Sequence, residues 1–197
     1  MAYEAKNFDY LIGTAGFSDQ LLKNHFTLYQ GYVANTNKLI EAIIALSREN
    51  RTSTLEFAEL KRRLGWEFNG MRLHELYFEN LSKTPAPLDQ NSLLYKKIAA
   101  QFGSFQEFEK YFRASGAVRG IGWTVLYYDA RSDFFLVCWV NEHDVGHLTG
   151  CTPLLIMDVF EHAFMPDYGL KRADYIDAFF KAIDWNAAAK RFEASNR

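Results

Sequence analysis

The side chains best suited to binding a metal or moving a proton near neutral pH are few in this 197-residue chain: five histidines, His25, His74, His143, His147 and His162, and two cysteines, Cys138 and Cys151. A histidine alone in an apolar helical segment is ordinarily a packed or surface residue, so His25 and His74 taken singly point to no site. His162 differs because Asp158 stands four residues before it, at the end of the nearly uninterrupted apolar run PLLIMDVFEHAF. A carboxylate buried there costs several kcal/mol unless it is hydrogen-bonded or bound to a cation. That points to a site. The alternative is an aspartate capping a following helix, with a histidine at the surface nearby. The cysteines are too few and too irregularly placed for a disulfide framework or a zinc ribbon, and read as reduced packing residues.

The elements that position these residues follow from apolar periodicity. Leu21, Leu22, Phe26, Leu28, Tyr32, Val33, Leu39, Ile40, Ile43, Ile44 and Leu46 recur at mostly helical intervals, which predicts one long helix or a kinked pair from Ser18 to Arg48. Ser53 or Thr54 can cap a second helix over Leu55 to Arg63. After Gly65 a third, Asn69 to Leu81, places Met71, Leu73, His74, Tyr77 and Phe78 close to one face. The stretch SKTPAPLDQ holds two of the four prolines and reads as a linker, giving a domain boundary with an all-α N-terminal helical domain over 1–84 and an α+β domain over 85–197. Ser92 to Phe102 and Ser104 to Ser115 are predicted helices. The pattern then changes. WTVLYYDA and DFFLVCWV are β-branched and aromatic runs separated by Arg131 and Ser132, which predicts an antiparallel hairpin, and a third strand ends with PLLIMD. Tyr175 to Ile183 and Asn186 to Phe192 return to helix. The expected fold class is α+β: an N-terminal helical hairpin domain, then an α+β domain with a small three-stranded antiparallel sheet.

Composition narrows the function classes. A content of 49% hydrophobic and 16% aromatic residues supports a substantial core. With 22 basic and 24 acidic residues spread along the chain, the basic excess that phosphate backbones demand is missing, so no nucleic-acid partner is expected. The first residues show neither a signal nor a transit composition, and no apolar run reaches membrane-span length, so neither a membrane partner nor export is expected and the cytoplasm is the expected location.

The segment DVFEHAF, followed by ADYIDAFFKAIDW, resembles the Asp-x-Trp-Glu-His-Ala-Tyr signature of iron/manganese superoxide dismutases and the helix after it. FGSFQEFEKYF followed by GIGWTVL resembles that family's helix and Gly-x-Gly-Trp strand opening, and NHFTLYQGYVANTNKL and FNGMRLHELYFENL resemble its two N-terminal helices. The resemblance covers nearly the whole chain and orders the pieces as the family does. It implies that His25, His74, Asp158 and His162 hold one iron or manganese ion per chain, leaving a fifth position for solvent, and that superoxide is the substrate, converted to dioxygen and hydrogen peroxide. Three imidazoles and one carboxylate suit either metal.

Further roles are implied in the same way. His143, fifteen residues before Asp158, matches the family's histidine beside the metal-bound solvent, with His147 as the competing candidate. Gly70, four before His74, matches the manganese-type pattern. Tyr32 matches the gateway tyrosine, although seven residues separate it from His25 where the family usually has eight. In a helix that difference rotates a side chain by about 100° from the expected face. Tyr29, the alternative gate, stands where the family commonly has a channel histidine, and Met165 where it has the tyrosine paired with that histidine across a dimer interface. Glu161 matches the glutamate that reaches the partner's histidine, so a homodimer is expected with Glu161 at the interface. Phe160 replaces the usual tryptophan beside the aspartate, and Trp123 matches the aromatic wall. The altered channel leaves room for a dismutase-like metal-binding protein with weak or no activity, or for a peroxidase or oxidase on the same site.

Overall fold

The computed structural model describes residues 2–196. A single 3-10 turn at Asp9–Leu11 leads into α1 (Asp19–Arg48), whose start is fixed by Ser18: its hydroxyl accepts from the Leu21 amide at 3.0 Å. The helix runs its full 30 residues without a break, so the kinked alternative is not what forms. After a turn containing Asn50 in the left-handed region (φ 58°), Thr54 caps α2 (Leu55–Glu79), which packs antiparallel along α1. Here the expectation of two helices parted at Gly65 is corrected. A helical glycine costs only about 1 kcal/mol relative to alanine. Nothing lies within 4 Å of a Cβ placed at Gly65, so the residue is on an open face and no packing is forfeited there.

After the stretch 80–92, Ser92 and Ser104 cap α3 (Leu93–Phe102) and α4 (Phe105–Gly116) through bonds to the amides of Tyr95 and Glu107. The sheet follows: β1 (Gly122–Asp129), β2 (Phe134–Asn141) and β3 (Thr152–Asp158), all antiparallel in the order β2-β1-β3. Arg131 and Ser132 lie in the β1–β2 turn, which Asp133 closes at φ 51°. Central β1 is buried at seven successive positions, which is why it reads as a continuous apolar and aromatic run and not as an alternation. Its register sets Trp123 opposite Asp158 on β3 and Val140 on β2. Then come α5 (Glu161–Tyr168), α6 (Arg172–Ala182) and α7 (Trp185–Ser195). The short α5 was not among the expected elements; Pro166 inside it hides the helix from pattern reading.

The two halves are sewn together around the site. α2 and α7 pack on β3, and α5 packs on α1. Buried Asn80, at the end of α2, donates to the Ile156 carbonyl of β3 at 2.8 Å, and Arg191 of α7 donates to the carbonyls of Leu76 and Leu154 and to Glu79. No described helix is long and apolar enough to cross a membrane.

Candidate metal centre

Asp158 is the last residue of β3 and has no exposed surface. It does not cap α5, whose N-cap is Phe160 with no side-chain cap bond, so the capping alternative is set aside. Its Oδ1 accepts from the Phe160 amide at 2.8 Å, and its backbone carbonyl accepts from the Tyr175 hydroxyl at 2.6 Å. With the carboxylate pinned from behind, Oδ2 faces three imidazoles: Nε2 of His162 at 3.1 Å, of His25 at 3.2 Å and of His74 at 3.7 Å. His25 comes from the buried face of α1, His74 from that of α2, and His162 from the first turn of α5. One ligand atom from each of the four residues lies within 4.8 Å of every other. His25, His74 and Asp158 are sealed, whereas the His162 side chain is 28% exposed.

The protonation states suit a cation. His74 Nδ1 donates to the Gly70 carbonyl at 2.5 Å, so the other ring nitrogen, Nε2, carries a lone pair. That nitrogen is buried and has no hydrogen-bond partner. An unsatisfied buried polar atom costs about 1–3 kcal/mol, which a bound cation removes. Burial holds His25 below the ordinary imidazole range and His74 well below it, favouring their neutral, metal-binding forms. Burial alone pushes Asp158 up, but the charge and hydrogen bond of His162 and the hydrogen bond of His25 outweigh it and hold the carboxyl below the ordinary carboxylate range. Three imidazoles and an ionised carboxylate form a mixed nitrogen–oxygen donor set for a divalent or trivalent first-row ion. The residues present fit iron or manganese.

Against this cluster lies a second group of residues. Asn141 and Val145 exchange backbone bonds (2.8 and 3.3 Å) and close a tight turn with Glu142 in the left-handed region (φ 50°) and His143 fully buried. The Trp123 indole donates to His143 Nδ1 at 3.0 Å. A neutral imidazole then carries its hydrogen on Nε2, which donates to the Tyr32 hydroxyl at 2.8 Å. Burial lowers the His143 pKa to about 4, so the ring is neutral at physiological pH. Phe160 stacks on it with centroids 4.8 Å apart.

Seven residues at 100° each come within about 20° of two full turns, so on the unbroken α1 Tyr32 shares the face of His25. Its ring stacks on His74 with centroids 5.1 Å apart. Gly70 makes this possible, because a Cβ there would stand 2.6 Å from Tyr32 Cδ1. Tyr29 is turned elsewhere: its hydroxyl donates to Glu75 at 2.9 Å and accepts from the Lys6 amide at 3.0 Å. His147 has both ring nitrogens engaged, Nε2 with the His143 carbonyl at 2.8 Å and Nδ1 with the Tyr127 hydroxyl at 2.7 Å, and bonds to nothing in the cluster. Trp123, Tyr77 and Phe78 pack against the ligand rings, with Tyr77 and Phe78 centroids 5.3 and 4.9 Å from His25. Glu161 and Met165 lie exposed on α5. Sequence reasoning missed Trp66, whose ring is 4.5 Å from that of His143; its position four before Gly70 and eight before His74, on one helix face, was the available signal.

A helical hairpin on an α+β half, with a buried imidazole–carboxylate cluster between them, is the architecture of a metal-dependent protein. Residues 90–191 match the C-terminal domain of iron/manganese superoxide dismutases. The chain is 36% identical to "Superoxide dismutase [Fe]" of Aquifex pyrophilus, over 90% of this chain and 85% of that one. It is equally 36% identical to "Superoxide dismutase [Mn] 1" of Halobacterium salinarum, over 94% and 92%. To "Superoxide dismutase [Fe]" of Saccharolobus solfataricus it is 32% identical, over 84% and 80%. The chain belongs to the iron/manganese superoxide dismutase family of oxidoreductases.

Proposed function

We propose that the chain is a superoxide dismutase that holds one iron or manganese ion through Nε2 of His25, His74 and His162 and Oδ2 of Asp158. The carrying observation is the buried, unpartnered Nε2 of His74 facing the same carboxylate oxygen as the other two imidazoles. Each half of the chain contributes two of these residues, His25 and His74 from 1–84 and Asp158 and His162 from 85–197. When bound, the ion would supply a reversible one-electron couple, the chemistry needed to oxidise one superoxide to dioxygen and, with two protons, to reduce a second to hydrogen peroxide.

The protein's own groups supply the rest. Asp158 stays ionised and offsets positive charge at the centre, and the two sealed histidines stay neutral. The bond order Trp123 to His143 to Tyr32 leaves the Tyr32 O–H proton uncommitted, because that oxygen already accepts from His143. Tyr32 therefore holds a proton beside His74 for the reduced oxygen species. Burial raises the Tyr32 pKa strongly, so the phenol keeps that proton at physiological pH. Phe78, Tyr77, Trp123 and Phe160 exclude bulk water, which strengthens every polar contact inside. A second copy packs over α5, with Glu161 of each chain beside the exposed edge of His162 in the other; the exposure of His162, Glu161 and Met165 supports this face. The cytoplasm is the proposed location.

The test is superoxide consumption by the purified chain reconstituted separately with iron and with manganese. Rapid turnover by at least one form, proportional to bound ion, is expected. Bound ion with no turnover in either form contradicts the proposal.

A further inference from the structure

Trp66 has no part in the arrangement proposed above, yet it is the side chain of α2 that reaches the His143 turn. Arg63, Trp66, Gly70 and His74 follow one another at spacings of three, four and four, which makes a single stripe along the helix. His74 faces the cluster and Gly70 leaves room for Tyr32. Trp66 lands on His143 edge to face, with centroids 4.5 Å apart, and lies 5.5 Å from the Tyr32 ring. Its indole N–H donates to Glu142 Oε2 at 3.0 Å. Glu142 is the residue whose left-handed backbone (φ 50°) turns the chain so that His143 points inward. Such a conformation costs a non-glycine residue about 1–2 kcal/mol, so an anchor on its side chain matters. On the outer side, the Arg63 guanidinium covers the Trp66 ring at 3.8 Å and is itself held by buried Glu67 through a 2.9 Å bond. Trp66 is thus held by Arg63 on its outer side and meets Tyr32 and His143 on its inner side.

We infer that Trp66 is a positioning residue: through Glu142 and through ring contact it fixes the 141–145 turn so that His143 Nε2–H stays on the Tyr32 hydroxyl. This rests on the reading of His143 and Tyr32 as the proton-holding pair. The turn's other ties are the Asn141–Val145 pair, the His147 bond to the His143 carbonyl and the bonds of the His143 ring to Trp123 and Tyr32; among the bonds described, the Trp66 indole is the partner of the Glu142 side chain. Packing by Trp66 and bonding by Trp66 are separable, because phenylalanine keeps a ring and lacks the donor.

The experiment compares the metal-loaded parent chain with Trp66→Ala, Trp66→Phe and Glu142→Gln by amide hydrogen exchange, metal content, the visible spectrum of the bound ion and turnover in H2O and D2O. In Trp66→Ala the amides of Asn141 and Val145 are expected to exchange at least about tenfold faster while those of β1 are unchanged. Metal content should hold, turnover per bound ion should fall about tenfold, and the solvent isotope effect should rise, as expected when a proton donor is less well placed. Trp66→Phe should lose about threefold, and Glu142→Gln, which keeps an acceptor oxygen, should match the parent within about twofold. Unchanged exchange and turnover in both Trp66 variants overturns the inference, as does a uniform rise in exchange with loss of metal, which marks a general structural role. If Trp66→Ala does not fold, Trp66→Phe decides between these results. A parent chain with metal and no turnover, but with locally faster exchange in the Trp66 variants, overturns the dismutase reading and leaves the anchoring intact.

Discussion

The three imidazoles around Asp158 and the side chains around His143 touch each other, yet they are held by different means. The first set stands on regular secondary structure: α1, α2, the end of β3 and the first turn of α5, with the carboxylate pinned by the Phe160 amide and the Tyr175 hydroxyl. The second set depends on a five-residue turn with one left-handed residue, kept in place by side-chain bonds from Trp123, Tyr32 and Trp66. Rigid elements give a cation a preformed cage, whereas a turn held by hydrogen bonds can set where a proton sits and be tuned by single side chains. Changes in the first set should therefore cost the ion, and changes in the second should cost turnover while the ion stays.

The largest effect is expected from Asp158→Ala and His162→Ala, each of which should weaken ion retention by more than about tenfold, read as iron or manganese per chain after dialysis against a chelator. Retention equal to the parent would place the ion elsewhere. Next, His143→Ala should leave metal content unchanged and reduce turnover by about a hundredfold, the usual scale of a lost proton-transfer group. Equal turnover would transfer the role away from His143. Gly70→Ala probes the contact between the two sets: its methyl meets Tyr32 at 2.6 Å, so overpacking of about 1–3 kcal/mol should appear as a lower denaturation midpoint together with slower turnover. Smallest should be His147→Gln, with turnover within about twofold of the parent and a stability loss of about 1 kcal/mol from the bonds to Tyr127 and the His143 carbonyl. A His147→Gln loss as large as that of His143→Ala would erase the distinction between these two histidines of one loop.

The same contrast governs what could be read from sequence. Periodicity and caps located α1, the sheet strands and the helix starts at Ser92, Ser104 and, to within one residue, Thr54, because each signal is local. Gly65 misled, since a glycine on an open face does not stop a helix that packing sustains, and Pro166 masked α5. At the site, Asp158 and His162 were legible as a pair from burial cost alone, but nothing local joined them to His25 and His74, which depends on α2 meeting β3 and α5 meeting α1. The seven-residue spacing of His25 and Tyr32 looked like a misfit only when measured against the family; on an unbroken helix it is the spacing that aligns the two. His143 and His147, four apart on one loop, could not be separated by sequence, because the direction each takes is set by the Asn141–Val145 turn and by Trp123 and Tyr127 across it. For Trp66 the signal was its place on the helix face of Gly70 and His74, which by itself reads as ordinary core packing.

The most direct test of the central claim is a crystal structure of the metal-loaded chain with anomalous diffraction measured on either side of the iron and manganese absorption edges. The account predicts a single strong peak at one of those edges, bounded by Nε2 of His25, His74 and His162 and Oδ2 of Asp158. A metal-loaded crystal with no peak among these four atoms, or with the ion at another site, would contradict it.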